Sequence, residues 1–293
     1  MTAQEKDSEM EGLAKAVNDS GFPLQLGVQR IAAANQRWQV ELTEHAWRDP
    51  LTGDEKFIDL VIRNEENRVI GPMRIVIEAK RAAKTEWIFL REHQPETAHD
   101  DNRLSAVVRV LARSRMQERV CNEWFGVPFL PGSPEVSFCV IRRDGQRAQD
   151  LLEKVAAELV RAIDALTAHE DALHAHQRQR SQGNWPPIAR VYVPMIVTTA
   201  RLFVCDAPYE HVDFESGRLE PSAMKAVAAV RFKKSFGSIA PERSNAKDIT
   251  EFAEAGQRTV VVVQATHLND LLGRWDFGNT DPYLKAALWP KGA

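Results

Sequence analysis

Two short apolar runs carry the charged residues whose types and spacing could do chemistry. Asp59 lies in the run Phe57-Ile58-Asp59-Leu60-Val61-Ile62, and Glu78 and Lys80 lie in Ile75-Val76-Ile77-Glu78-Ala79-Lys80. Runs rich in Val and Ile predict buried β-strands, where a charged group loses its hydration unless a partner or an ion replaces it. Each of these three charges therefore needs a compensating group.

Strand geometry predicts that the three charged groups meet. Side chains alternate between the two faces of a strand, so Glu78 and Lys80 share one face, opposite Ile77, and Asp59 shares a face with Val61. If the two strands are neighbours in one sheet, the two carboxylates and the ammonium converge. Adjacent carboxylates raise each other's pKa, and a divalent cation between them relieves the repulsion. Oxygen ligands of this kind favour Mg²⁺ or Mn²⁺ over zinc. A buried structural ion pair is the alternative.

The two runs resemble the signature of the PD-(D/E)XK nuclease superfamily, which has the restriction-endonuclease-like fold. That signature is an Asp near the end of one strand and Glu/Asp-x-Lys on the next, matched here by Asp59 and by Glu78-Ala79-Lys80. The resemblance implies metal-dependent hydrolysis of phosphodiester bonds. Asp59, Glu78 and the backbone carbonyl of Ala79 would bind the metal, and Lys80 would position the attacking water or offset developing charge.

Other segments between about residues 20 and 240 resemble a group of poorly characterised bacterial proteins of this superfamily. One is Gly21-Phe22-Pro23-Leu24-Gln25-Leu26, which opens a helix ahead of the strands. Such proteins usually carry a glutamate after Pro-Leu, where this chain has Gln25. An amide oxygen can coordinate a metal or orient water but brings no negative charge. Gln25 is thus either a catalytic ligand or a helix-surface amide, and a second metal ion is in question.

The predicted elements give an α/β fold in which a mixed central sheet is flanked by helices, with a restriction-endonuclease-like core and a C-terminal α/β extension. We expect one domain over residues 1–293, its core at about 20–205 and the extension at about 206–293. Helices are predicted at 8–17, 23–35, 103–119, 148–173, 248–255 and 268–275, with a loop at 174–187. Strands are predicted at 38–47, 57–62, 75–80, 87–90, 136–141, 190–198, 201–205, 229–236 and 259–264. The strands at 190–198 and 201–205 are expected to join the same sheet.

Two basic segments are candidates for nucleic-acid binding. Arg109, Arg113, Arg115 and Arg119 form the best local basic surface, which is either a binding surface or a solvated face. Lys233 and Lys234 follow an alternating apolar and basic pattern that fits either an edge strand protected from aggregation or a strand that tracks a phosphate backbone. The net charge of −3 and the pI near 6.3 argue against a generally basic coat, so binding requires such a local patch.

The bulk composition narrows the class of protein. A chain of 293 residues with 44% apolar residues can bury one substantial core or two modest ones. The three cysteines, Cys121, Cys139 and Cys205, are far apart and are expected to be reduced. The sequence lacks an apolar run of the roughly 20 residues that a membrane helix needs, and it lacks a secretory signal, so we expect a cytoplasmic protein without membrane contact. Walker-type phosphate loops and Gly-x-Ser-x-Gly elbows are also missing.

Together, these features predict a nuclease that depends on Mg²⁺ or Mn²⁺. The resemblance favours DNA over RNA as the substrate and restriction-like defence as the setting, and it suggests a homodimer or an activating partner protein. The alternative is a non-catalytic nucleic-acid-binding or regulatory subunit with the same fold, in which Gln25 reflects lost chemistry.

Overall fold

The computed structural model describes residues 3–64, 73–92, 106–112, 115–121, 134–144, 146–147, 151–180, 188–207, 209–219, 224–236, 248–250, 253 and 256–274. Its α-helices are α1 (Ala3–Asp19), α2 (Phe22–Ala34), α3 (Leu152–Arg180) and α4 (Leu268–Arg274). Short 3₁₀ helices lie at Tyr209–His211 and Ala265–His267.

The strands form two larger sheets and one small ribbon. In chain order they are β1 (Gln39–Arg48), β2 (Glu55–Asn64), β3 (Met73–Lys80), β4 (Thr85–Glu92), β5 (Ala106–Ala112), β6 (Arg115–Cys121), β7 (Glu135–Val136), β8 (Phe138–Arg143), β9 (Gln146–Arg147), β10 (Ile188–Thr198), β11 (Arg201–Ala207), β12 (Val212–Asp213), β13 (Arg218–Leu219), β14 (Met224–Val227), β15 (Ala229–Ser235) and β16 (Gln257–Gln264).

The larger sheet confirms the predicted α/β class with a mixed central sheet. Its strand order is β1-β2-β3-β10-β16-β15-β7, and the hairpin of β5 and β6 attaches to β10 through β5. Strands β1, β2 and β3 form an antiparallel meander, whereas β10 runs parallel to β3. The β1–β2 hairpin turns at Asp49–Asp54, where Gly53 has a φ of +77° that only glycine adopts without strain.

A second sheet has the order β14-β11-β4-β8-β9, and it includes the strand that was expected to join the central sheet. Strands β3 and β10 end side by side at Lys80 and Thr198. After a short connection, each is followed by another strand, and these two strands, β4 and β11, also pair in parallel. The parallel pair therefore leaves the large sheet as a unit, which is why β11 follows β4 into the second sheet.

Each face of the large sheet buries its own core. Residues of α2 and α4 pack with alternate residues of β3, including Ile75 and Ile77, on one face. On the other face, Val76 packs with α3 and with residues of the second sheet. Burying an aliphatic side chain of this size contributes about 1.5–3 kcal/mol. The predicted alternation along β3 is thus observed.

Two predicted elements were wrong. Residues 106–112 and 115–121 form β5 and β6 instead of a helix, because the β-branched valines at 107, 108 and 110 fit a strand that pairs with β10. Helix α3 continues to Arg180 where a loop was expected from His174, since Ala, Gln and Arg are all good helix formers. Half of the helix predicted at 248–255 lies outside the described residues.

Among the described residues, no helix is long and apolar enough to cross a bilayer. Cys139 and Cys205 are buried and form no disulfide with a described residue, as expected, and the side chain of Cys121 lies outside the part that the structure describes.

Candidate functional site

The candidate site lies where β2 and β3 separate. The ladder between them runs from Asn64 opposite Met73 to Leu60 opposite Ile77, and it stops one residue short of Asp59. Beyond this point a side chain takes the place of the backbone hydrogen bonds between the strands: Asp59 Oδ2 accepts a hydrogen bond of 2.7 Å from the backbone N–H of Ala79. The Asp59 carboxylate is therefore fixed against the Glu78-Ala79-Lys80 tripeptide.

Glu78 and Lys80 lie on the same face of β3, as the strand period predicts. Lys80 Nζ is 2.5 Å from Glu78 Oε1, and the two side chains are 40% and 20% exposed. Their face is the one that Val76 shares with α3. The structure thus brings Asp59, Glu78 and Lys80 together at one end of the sheet.

The electrostatics of the cluster favour a bound cation. Burial raises the pKa of Asp59 to about 6, and the charge of Glu78 adds to this effect, while the Ala79 N–H and the Lys80 ammonium oppose it. Burial alone would lower the pKa of Lys80, but the Glu78 carboxylate outweighs burial and raises it. Lys80 is therefore held as an ammonium, suited to donating hydrogen bonds and unsuited to removing a proton.

Gln25 reaches this cluster from α2. Its Nε2 donates one hydrogen bond to the carboxylate of Glu44 and another, 3.2 Å long, to the backbone carbonyl of Asp59. The amide is therefore in direct contact with the site. Whether its oxygen serves a metal or a water stays a prediction.

Glu44 is a site residue that the sequence reasoning missed. It has a φ of +49°, in the left-handed region. Its neighbours Thr43 and His45 pair with residues of β2, but Glu44 itself is not part of the β1–β2 register. A non-glycine residue held there costs about 1–2 kcal/mol and marks a locally constrained backbone. Its carboxylate also acts to raise the pKa of Asp59. The alternation of Trp38, Val40 and Leu42 in the sequence continues to position 44, so the signal was a carboxylate in line with apolar residues. In the structure a bulge between Val40 and Leu42 breaks this alternation, and Glu44 is exposed.

The end of β10 supports the backbone around Lys80. Thr198, which is fully buried, donates a hydrogen bond of 3.0 Å from its Oγ1 to the carbonyl of Lys80. The neighbouring Thr199 accepts a hydrogen bond of 2.8 Å at its Oγ1 from the N–H of Ala82. These contacts fix the direction in which the Lys80 side chain leaves the strand.

The donor set suits a magnesium-like ion that keeps part of its water shell. The available protein oxygens are the carboxylates of Asp59 and Glu78 and the carbonyl of Ala79. No group of three or more His, Cys, Asp or Glu side chains placed for a metal occurs in the part of the chain that the structure describes. Mg²⁺ sites commonly use only one or two carboxylates, with water and substrate phosphate completing the shell.

A buried ion-pair network joins β2 to α3 next to the site. Asp49 is fully buried, and both its oxygens accept hydrogen bonds of 3.0–3.2 Å from Arg161. Lys56 bridges Asp49 at 3.2 Å and Glu158 at 2.9 Å. Burial alone would raise the pKa of Asp49, but hydrogen bonds from Leu51 N–H, Arg161 and Lys56 outweigh it and lower the pKa to about 2.

The predicted arginine segment lies far from the cluster. The backbone of Arg109 is level with Arg190 on β10, whereas Lys80 is level with Thr198, eight residues along the same strand. At about 3.3 Å per residue these levels are roughly 26 Å apart. Arg115 and Arg119 lie on β6, beyond β5, and Arg113 lies outside the described residues.

Lys233 and Lys234 are also distant from the cluster and carry carboxylate partners. Lys233 lies 3.4 Å from Glu135, and Lys234 pairs with Glu153 of α3. On β16, Lys233 is level with Thr259, while the level of Lys80 corresponds to Gln264. The structure does not bring these lysines to Asp59.

Comparison of the chain with protein-family models, with curated proteins and with solved structures gave no match.

Proposed function

We propose that the protein is a divalent-metal-dependent nuclease that hydrolyses phosphodiester bonds. The proposal rests on one observation, the convergence of Asp59, Glu78 and Lys80 where β2 and β3 separate. Two carboxylates and an ammonium held in this way match the needs of phosphodiester hydrolysis, in which negative charge builds up on a phosphate that water attacks.

Each residue of the cluster would have a role that follows from its functional group. Asp59, Glu78 and the carbonyl of Ala79 would hold Mg²⁺ or Mn²⁺, which supplies Lewis-acid stabilisation of the phosphate and lowers the pKa of bound water. The Lys80 ammonium would orient the attacking water or stabilise charge on the phosphate oxygens. The amide of Gln25, held by Glu44, would fix the backbone that carries Asp59.

The resemblance to PD-(D/E)XK nucleases supplies the finer proposals. The order helix, strand, strand, strand from α2 to β3 is the order expected for that core, and α3, which comes after β4 to β9 in the chain, packs against the same sheet. On this basis DNA is favoured over RNA, restriction-like defence in the cytoplasm is the setting, and a homodimer or an activating partner completes the enzyme.

The test is a cleavage assay with matched variants. The purified protein is incubated with plasmid, linear DNA and RNA, each with Mg²⁺, Mn²⁺ or a chelator. We expect cleavage only with metal, and its loss in Asp59→Ala and Lys80→Ala while circular dichroism remains native. Lys225→Ala, which changes an exposed lysine of β14, serves as the control and should cleave normally. Undiminished cleavage by either site variant would remove that residue from the active site.

The alternative is a nucleic-acid-binding or regulatory subunit without catalysis. The neutral amide of Gln25 favours it, because this amide brings α2 to the site without adding negative charge. Such a protein would bind nucleic acid and release no product with any metal. Cleavage that appears only in a reconstituted complex would identify a subunit that a partner activates.

A further inference from the structure

A cleft of about 480 Å³ opens beside the candidate site, between the β1–β2 hairpin and α3. Trp47 and Phe57 line it from the strands, and Lys154 and Glu158 line it from the helix. Glu78 of the candidate site also faces this space. The cleft is therefore continuous with the cluster proposed to act on a phosphodiester.

The walls of the cleft carry a solvent-exposed aromatic ring and a lysine without an ion-pair partner among the described residues. The Phe57 residue is 51% exposed, an unusual fraction for a phenylalanine on a strand next to a buried core. Lys154 is exposed and has no carboxylate within ion-pair distance among the described residues, whereas the neighbouring Lys56 is held by Asp49 and Glu158. Phe57 and Lys154 thus remain available to a ligand.

Trp47 contributes apolar surface to the same wall. The residue is only 8% exposed, and its indole N–H has no acceptor within the described part of the chain. Because that nitrogen is itself buried, a ligand in the cleft does not reach it, and Trp47 serves only to shape the wall.

We propose that the cleft binds one unpaired nucleotide of the strand whose phosphate lies at the candidate site. The Phe57 ring stacks on the base, and the Lys154 ammonium contacts the backbone phosphate on the far side from Glu78. This inference rests on the proposed nuclease function and deepens it by naming a single-stranded or locally unpaired substrate.

Geometry and charge favour a single nucleotide over a duplex. Small-ligand pockets span roughly 300–1,000 Å³, and a duplex is far too wide for a cleft near the lower end of that range. Along β2, Phe57 lies two residues from Asp59, roughly 7 Å at strand spacing, which one extended nucleotide spans. Lys154 is the lysine of the cleft wall without a carboxylate partner among the described residues, since Lys56 pairs with Glu158, so a backbone phosphate is placed against Lys154.

The test measures binding separately from cleavage. Labelled single-stranded DNA containing 2-aminopurine, and the duplex of the same sequence, are titrated in chelator, and anisotropy and base fluorescence are recorded. Wild type is compared with Phe57→Ala, Phe57→Leu and Lys154→Ala. The matched controls are Phe214→Ala, at an 81% exposed phenylalanine, and Lys225→Ala.

We expect Phe57→Ala to weaken single-strand binding roughly 5- to 150-fold, because each base–aromatic stack is worth about 1–3 kcal/mol. Phe57→Leu keeps the apolar bulk and should still lose the quenching of 2-aminopurine. Lys154→Ala should reduce the slope of log affinity against log salt concentration by about 0.7, the single-strand value per phosphate contact. The controls should match wild type.

The outcomes separate the cleft from the nuclease proposal. Wild type that binds single strands through Phe57 and cleaves nothing refutes the nuclease and retains the cleft. Wild type that cleaves, with the Phe57 and Lys154 variants binding as it does, refutes the cleft and retains the nuclease. Equal losses for duplex and single strand also overturn the single-nucleotide proposal, and a wild type that neither binds nor cleaves overturns both.

Discussion

Replacing Asp59 by Asn should make the fold more stable at neutral pH while removing activity. The folded protein keeps Asp59 partly buried beside Glu78, so its ionised form is unfavourable and its pKa is raised to about 6 from an ordinary value of 3.8. Asparagine cannot ionise. Its side-chain oxygen can still accept the hydrogen bond from the N–H of Ala79, so the contact that closes β2 onto β3 is preserved.

The sign and size of the effect follow from proton linkage. Between the two pKa values the folded state binds more protons than the unfolded state, so wild-type stability falls as pH rises through this window. A separation of about two pKa units corresponds to roughly 3 kcal/mol once Asp59 is fully ionised, and solvent screening reduces this to about 2 kcal/mol. The advantage of Asp59→Asn should therefore reach about 2 kcal/mol at pH 7.5 and vanish near pH 4.

Urea unfolding of both proteins at pH 4, 6 and 7.5, in chelator, measures this difference directly. Added Mg²⁺ should stabilise wild type at pH 7.5 and leave Asp59→Asn unchanged, because ligands that bind only the folded state stabilise it. Asp270→Asn, at an exposed position of α4, is the control and should change stability by less than about 0.5 kcal/mol at each pH. A variant no more stable than wild type at pH 7.5, or one equally favoured at pH 4, would refute the reasoning.

Two further predictions concern the surroundings of the site. Arg161→Met leaves the fully buried Asp49 with fewer partners and should lower the free energy of unfolding by about 3 kcal/mol, as measured by urea unfolding. A loss under about 1 kcal/mol would show that Lys56 alone compensates the charge of Asp49. Glu44→Gln removes a negative charge beside the metal ligands and should raise the Mg²⁺ concentration for half-maximal cleavage several-fold, with Gln25→Glu lowering it. Identical metal titrations in all three proteins would exclude both residues from metal binding.

The strands that carry the site were predictable because their patterns are local. Continuous runs rich in Val and Ile define β2 and β3, and the pleat alone puts Glu78 and Lys80 on one face. The segment at 106–121 was not predictable in this way. Its apolar residues fit helical spacing as well as a strand, and pairing with β10, a segment distant in sequence, decided between them.

Glu44 shows the limit of local reasoning about the site. A carboxylate in line with the apolar residues of β1 was visible in the sequence, but its contact with Gln25 depends on α2 packing over the β1–β2 hairpin. The cleft behind Glu78 likewise needs α3, which begins more than seventy residues after β3 ends. Neither feature has a signature within a single element.

The sequence by itself determined which groups could do chemistry and which strand faces carry them, because side-chain alternation is a property of each strand alone. Only the tertiary structure decided where the basic segments lie, since strand pairing puts Arg109 at the far end of β10 and Lys233 on a strand away from Lys80. It also decided that Asp59 closes onto Ala79 and that Glu44 holds Gln25. The physical reason is that register and packing depend on contacts between residues far apart in the chain, whose free energy no single segment contains.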